Sequence, residues 1–185
     1  MEAALQIMPG GRVPAPTTSD IGPVRVMGQS VHIPCRIYYH EPDEERILTL
    51  TGTQKILLSC LYSRHHDGYV RERHLHRLLP SADPWVPPFV CQLVGEYVIE
   101  IIDRILACVE TLKGMDSYST FSEDNEAFLT LTRQRVVSYW FCYCRGEYLS
   151  LRDYPGFRVM NALVGWRGKE GKRALKRQTK LVPET

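Results

Sequence analysis

Residues 63–76, SRHHDGYVRERHLH, place four histidines, one aspartate and three arginines within fourteen positions, directly after the apolar run ILLSCLY. Histidine is the side chain best suited to bind a metal or move a proton near neutral pH, so this stretch is the first candidate for chemistry. Its spacing argues against one shared ion. His74 and His76 are two apart, which on a helix sets them about 160° from each other, on nearly opposite faces. His65, His66 and Asp67 are adjacent and offer at most two usable ligands, whereas metal sites need a defined spacing and supporting partners. The pattern instead predicts an interhelical turn. Asp67 caps the helix that follows, and His65 sits near the carboxyl end of the one before. Glu96 and Glu100, one helical turn apart, then pair with Arg71 or Arg73 in a salt-bridge network. His65, His66, Tyr69, Arg71 and Arg73 form a charged ridge able to face a partner, because arginine and tyrosine are enriched at interface cores.

Other chemistry finds little support. Cys142 and Cys144 form C-x-C, neither a C-x-x-C redox pair nor half of a zinc-finger spacing. Their neighbours Trp140, Phe141 and Tyr143 predict burial, which makes thiols inert. Nucleophile-elbow, P-loop and dinucleotide-binding motifs do not occur. The expectation is therefore no catalytic residue, no cofactor and no metal, with an enzyme the less favoured class.

The elements that position these residues read mostly as helices. Residues 1–22, rich in Pro, Gly, Thr and Ser, read as a flexible arm. Within 23–45, VHIPCRIYY alternates at period two, but Pro34 cannot donate to a ladder, so an extended or edge-strand segment is expected, followed by the polar turn HEPDEER. From Thr53 the period becomes helical, with Ile56, Leu57, Cys60 and Leu61 on one side. A second helix runs from Asp67 to Leu79. Pro87 and Pro88 suit the first turn of a third. After Gly95 a fourth carries the stripe Val98, Ile101, Ile102, Ile105, Val109 and Leu112, with Glu100 and Arg104 as an i,i+4 pair. KGMDSYST reads as a loop. Thr120 and Glu123 form a capping box for a long fifth helix over 121–145, whose VVSYWFCYC predicts a central position. Asp153 and Pro155 open a sixth helix reaching about Val164. The expected fold is all-α over 46–165, helix hairpins in a solenoid-like or orthogonal array around the 98–112 and 121–145 helices, with a basic flexible tail over 166–185.

HHDGYVRERHLHRLL followed by PWVPPFVCQLVGEYVIEIIDRI resembles the helix pairs of HEAT-type repeat proteins over about residues 53–112. GYVRE at 68–72 and GEYVIE at 95–100 each start the second helix of a pair. The resemblance implies an α-helical protein-interaction scaffold in which Arg71 takes the part of the arginine that ties neighbouring repeats. The His66–Asp67 pair at the end of an apolar helix also resembles the metal-binding core of HD phosphohydrolases. That likeness implies a metal-dependent phosphohydrolase, with His40 and Asp103 as the further ligands.

Composition bounds the rest. At 185 residues, 44% hydrophobic and 24% charged, the chain is long enough for one domain with its own core. The net charge of +2 does not by itself imply nucleic acid. The tail RGKEGKRALKRQTK, with Lys169, Lys172, Arg173, Lys176, Arg177 and Lys180, is the one segment able to track phosphates. No apolar run reaches the roughly 20 residues of a membrane span. The six cysteines read as reduced thiols of a cytoplasmic protein. The favoured function is an intracellular, non-enzymatic protein–protein interaction module.

Overall fold

The computed structural model describes residues 22–165, so both the Lys169–Lys180 stretch and most of the N-terminal arm lie outside the described residues. The chain opens with a hairpin of β1 (Val24–Val26) and β2 (Gln29–Val31), paired antiparallel with Val24 opposite Val31. The two-residue turn between them has Met27 and Gly28 at φ of 51° and 75°. Positive φ at both central positions is the turn whose twist matches that of the flanking strands. The paired strands thus lie earlier than the alternating 31–39 stretch suggests. Val31, Ile33 and Ile37 do face inwards, but beyond Val31 the chain leaves the ladder just ahead of Pro34, and Ile37 makes only an isolated parallel bridge to His65.

Helices follow: α1 (Glu44–Leu48), α2 (Gly52–Tyr62), α3 (Gly68–Leu78), α4 (Val86–Val94), α5 (Ile99–Ala107), α6 (Val109–Lys113), α7 (Asp116–Asp124), α8 (Glu126–Tyr139) and α9 (Pro155–Val164). Among the described residues the protein is mostly helical, as expected. No helix among them is long and apolar enough to cross a membrane.

Local signals explain several boundaries. Thr51 and Gln54 form a reciprocal capping box at α2, Asp67 accepts the Tyr69 N–H at α3, and Pro87 and Pro88 occupy the first turn of α4. All nine residues of α4 are buried, as a helix apolar all round must be. It touches α2, α3, α5, α7, α8 and α9, and α9 in turn packs against α4–α8. The centre therefore belongs to α4 and α9, not to the two helices expected there. Because the last helix returns to earlier ones, contacts reach well beyond sequence neighbours.

Three expected elements differ. The 98–112 helix breaks at Cys108 into α5 and α6, although Ile101, Ile102, Ile105, Val109 and Leu112 all stay buried. The 113–120 loop is largely helical: Tyr118 and Phe121, three apart, drop into the core and hold the polar sequence in α7. Thr120 and Glu123 consequently lie inside α7, and Asn125 makes the break before α8. Finally, α8 passes at Trp140 into a π-helical turn, Trp140–Cys144. Trp140 is buried and donates its indole N–H to Tyr148 O at 2.8 Å, while Phe141, Cys142 and Tyr143 are exposed. The wider π turn is rare and recurs at functional sites.

Candidate functional site

Between α2 and α3 the chain makes the HHDG turn, and the segment 32–43 lies against it. Ile37 N donates to Arg64 O at 2.9 Å, and His66 N donates to Ile37 O at 3.0 Å. Two polar clusters fasten the segment on either side of this bridge.

The first is centred on Glu96, just after α4. Its carboxylate accepts two hydrogen bonds from Arg36, at 2.8 and 2.9 Å, and one from Arg64 at 2.5 Å. Arg71 brings its Nε to 3.5 Å from Oε2, close enough for charge attraction but without hydrogen-bond geometry. Arg64 and Arg71 are 2% and 1% exposed and Glu96 6%. Three guanidinium groups thus surround one carboxylate. Backbone carbonyls accept further hydrogen bonds from the arginines: Arg64 bonds Pro34 O and Cys35 O, and Arg71 bonds His65 O and His66 O. Burial alone would raise the Glu96 carboxyl, but Arg64, Arg36 and Arg71 outweigh it and hold it below the ordinary range. Burial, with Arg36 beside it, lowers Arg64.

The second cluster is a chain of three residues. His74 Nε2 lies 2.8 Å from Glu41 Oε1 and its Nδ1 lies 3.2 Å from Ser59 Oγ. Arg73 pairs with the other Glu41 oxygen, and Tyr62 stacks on the imidazole while donating its hydroxyl to His40 O at 2.6 Å. Serine, histidine and carboxylate in line suggest a hydrolytic triad. The geometry does not serve one. Ser59 and His74 are each 1% exposed, so the hydroxyl meets packed side chains instead of a substrate. Burial pushes His74 down to about 4, against the pull of Glu41, leaving it neutral and fixed as a connector.

The sequence-derived candidates divide by exposure. His65 and Arg71 are buried; His66, Tyr69 and Arg73 are exposed, with His66 stacked on Tyr38 and tilted against His65. Glu100 forms no ion pair among the described residues; Arg104 reaches Glu72 instead, at 3.5 Å. The carboxylate of Asp67 is occupied by the Tyr69 N–H. Asp103 lies beside Glu100 and Glu147 and is raised by burial and then by those two charges. Among the described residues no group of three or more His, Cys, Asp or Glu side chains is placed to hold a metal ion.

The sequence reading did not identify Arg36, Glu41, Ser59 or Arg64. Arg36 sits at an outward position of the alternating stretch, the sole local signal; the others depend on partners fifteen to thirty-three residues away. It also missed a surface feature built from Tyr97, Tyr139 and Tyr143. Tyr97 and Tyr139 rings lie 6.0 Å apart and Tyr139 and Tyr143 rings 5.8 Å apart. Tyr97 is 58% and Tyr143 73% exposed. Phe141, also exposed, carries the Arg145 guanidinium 5.4 Å above its ring. Comparison with protein-family models, with curated proteins and with solved structures finds no match.

Proposed function

We propose that this protein is a non-enzymatic protein–protein interaction module built on packed helix pairs, with the Tyr97–Tyr139–Tyr143 ladder as its docking face. The carrying observation is the ladder itself, three neighbouring tyrosine rings, Tyr139 stacked on Tyr143 and tilted against Tyr97, where α8 widens into a π turn. Large aromatics with a polar tip supply contact area at little entropic cost and dominate binding at interfaces. By contrast, Glu96 and His74 are engaged inside, Glu96 by three arginines and His74 by Glu41 and Ser59, while Asp67, at the surface, caps α3 through a backbone N–H. The exposed part of the 65–73 ridge, His66, Tyr69 and Arg73 with Tyr38 beside them, supports a second, smaller contact area. The α2–α3 hairpin, whose Arg71 reaches from one helix of the pair to Glu96 beyond the next, supports the likeness to HEAT-type pairs.

The test compares wild type with Tyr97→Ser/Tyr143→Ser. Both positions are exposed, so thermal unfolding should stay within about 1 kcal/mol of wild type. A protein crosslinked to wild type in native lysate should be lost from the variant. Equal recovery by both chains contradicts the reading.

A further inference from the structure

Residues 32–43 belong to no helix and no strand, yet they are fixed against the α2–α3 hairpin as a bound extended peptide would be. Ile37 carries the backbone contact. Its N–H donates to Arg64 O and its carbonyl accepts from the His66 N–H, one rung of parallel pairing. When a segment is captured in this way, main-chain bonds supply affinity and side-chain pockets supply specificity. Both are present here. Arg36 places two guanidinium nitrogens on the Glu96 carboxylate, the bidentate fork that lysine cannot make. Ile37 joins Leu58 and Tyr62 of α2 and Val70 of α3 in one apolar cluster. Tyr39 O and His40 O accept from His65 and Tyr62, and Glu41 meets Arg73 and His74.

Two features let this segment leave without disturbing the rest. Ile37, Leu50, Leu58, Tyr62 and Val70 form a small cluster of their own, distinct from the main core that holds Val24, Val26, Val31 and Ile33. On the other side of the segment, α1 has no buried residue. Release of residues 34–43 therefore costs the segment its own contacts and leaves the main core packed. Regions with few buried apolar contacts open below the free energy of global unfolding.

We infer that the α2–α3 groove is a second recognition site, apart from the tyrosine ladder, and that residues 36–41 occupy it as a built-in competitor. Its ligand is an extended segment of a partner protein with an arginine, a branched apolar residue directly after it, and a carboxylate five residues beyond the arginine. Charge and shape select this occupant: Glu96 takes the arginine, the Leu58–Tyr62–Val70 pocket the branched side chain, and Arg73 the carboxylate.

The probe is a labelled peptide of residues 32–43, titrated by fluorescence anisotropy in reducing buffer. It is added to the full chain and to a full chain carrying Arg36→Ala/Ile37→Ser/Glu41→Ala. The disabled chain should bind it. The intact chain, whose own segment competes at an effective concentration in the mM range, should bind it at least about ten-fold more weakly. Glu41→Lys in the peptide should abolish binding to the disabled chain, and Arg73→Glu in that chain should restore it. Binding that ignores charge reversal, equal binding by both chains, or no binding to a disabled chain of wild-type helix content overturns the inference. Should the triple change lower helix content, Glu41→Ala alone replaces it and should bind the peptide more tightly than wild type does; equal binding then overturns the inference. Dimers of the intact chain that the peptide dissolves would make the occupant a second copy and overturn the assignment to another protein. Hydrogen exchange tests the release step in the unaltered chain: the Ile37 and His66 amides should exchange at least about a hundred-fold faster than those of buried α4. Equal protection would mean that the segment leaves only on global unfolding, and the inference falls.

Discussion

Replacing Glu96 by glutamine removes the one negative charge among three guanidinium groups while preserving shape. Two of those groups, on Arg64 and Arg71, are almost wholly buried. Removing one partner of a buried ion pair costs about 3–5 kcal/mol, because the surviving charge is left without compensation. Here the carbonyls of Pro34, Cys35, His65 and His66 still accept from the arginines, which places the expected loss near the lower end, about 3 kcal/mol. For a domain of this size that is about 6–12 °C in Tm. Removing the charge excess together with its counter-charge should recover part of the loss, so Glu96→Gln/Arg64→Met should be less damaged than the sum of the two single variants. Arg36 is the most solvent-exposed of the three, and Arg36→Met should cost the least. Urea unfolding of wild type and the four variants measures all of this. A Glu96→Gln change within about 0.5 kcal/mol of wild type, the range of ordinary surface substitutions, would refute the view that Glu96 organises the cluster.

Three further outcomes follow from the contacts. His74 is pushed down to about 4 from an ordinary 6.5, so the unfolded chain takes up its proton first; stability should fall as pH drops from about 6.5 to about 4, by up to about 3 kcal/mol, and His74→Gln should lack that portion of the slope in pH-dependent urea unfolding. Parallel curves for the two chains would count against the buried neutral imidazole. Asp67→Ala should cost about 1 kcal/mol through loss of the cap while Asp67→Asn is nearly neutral; equal damage from both in thermal melts would disprove the cap. Asn125 brackets Arg25 with bonds to its N–H and carbonyl at 2.6 and 2.8 Å. Asn125→Ala should cost about 1–3 kcal/mol and speed amide exchange across 24–31; unchanged exchange there would show that the hairpin is held by its valines alone.

What could be read from the sequence was local. A capping aspartate before Gly68, prolines at 87 and 88, and a 3.6-residue stripe from Val98 each act within one or two turns, and each marks an element that is present. The 113–120 stretch misled because its helix is imposed by tertiary burial of Tyr118 and Phe121, against a polar sequence with weak propensity. YWFCYC misled for the opposite reason. Its apolar composition predicts burial, yet the π turn rotates Phe141, Cys142 and Tyr143 outwards while Trp140 alone stays inside. The polar clusters depend on long-range pairing: Glu96 meets Arg36 sixty residues away and His74 meets Glu41 thirty-three residues away. No spacing rule within a single element encodes such pairs, so the Glu96 cluster was foreseen only through Arg71.

The docking face is tested most directly by placing a photo-crosslinking amino acid at position 143, and in a parallel chain at Glu110 on α6, and irradiating each in native lysate. The ladder account predicts a discrete crosslinked protein at position 143 and none at position 110. The same pattern of products from both positions, or none from 143, would contradict it.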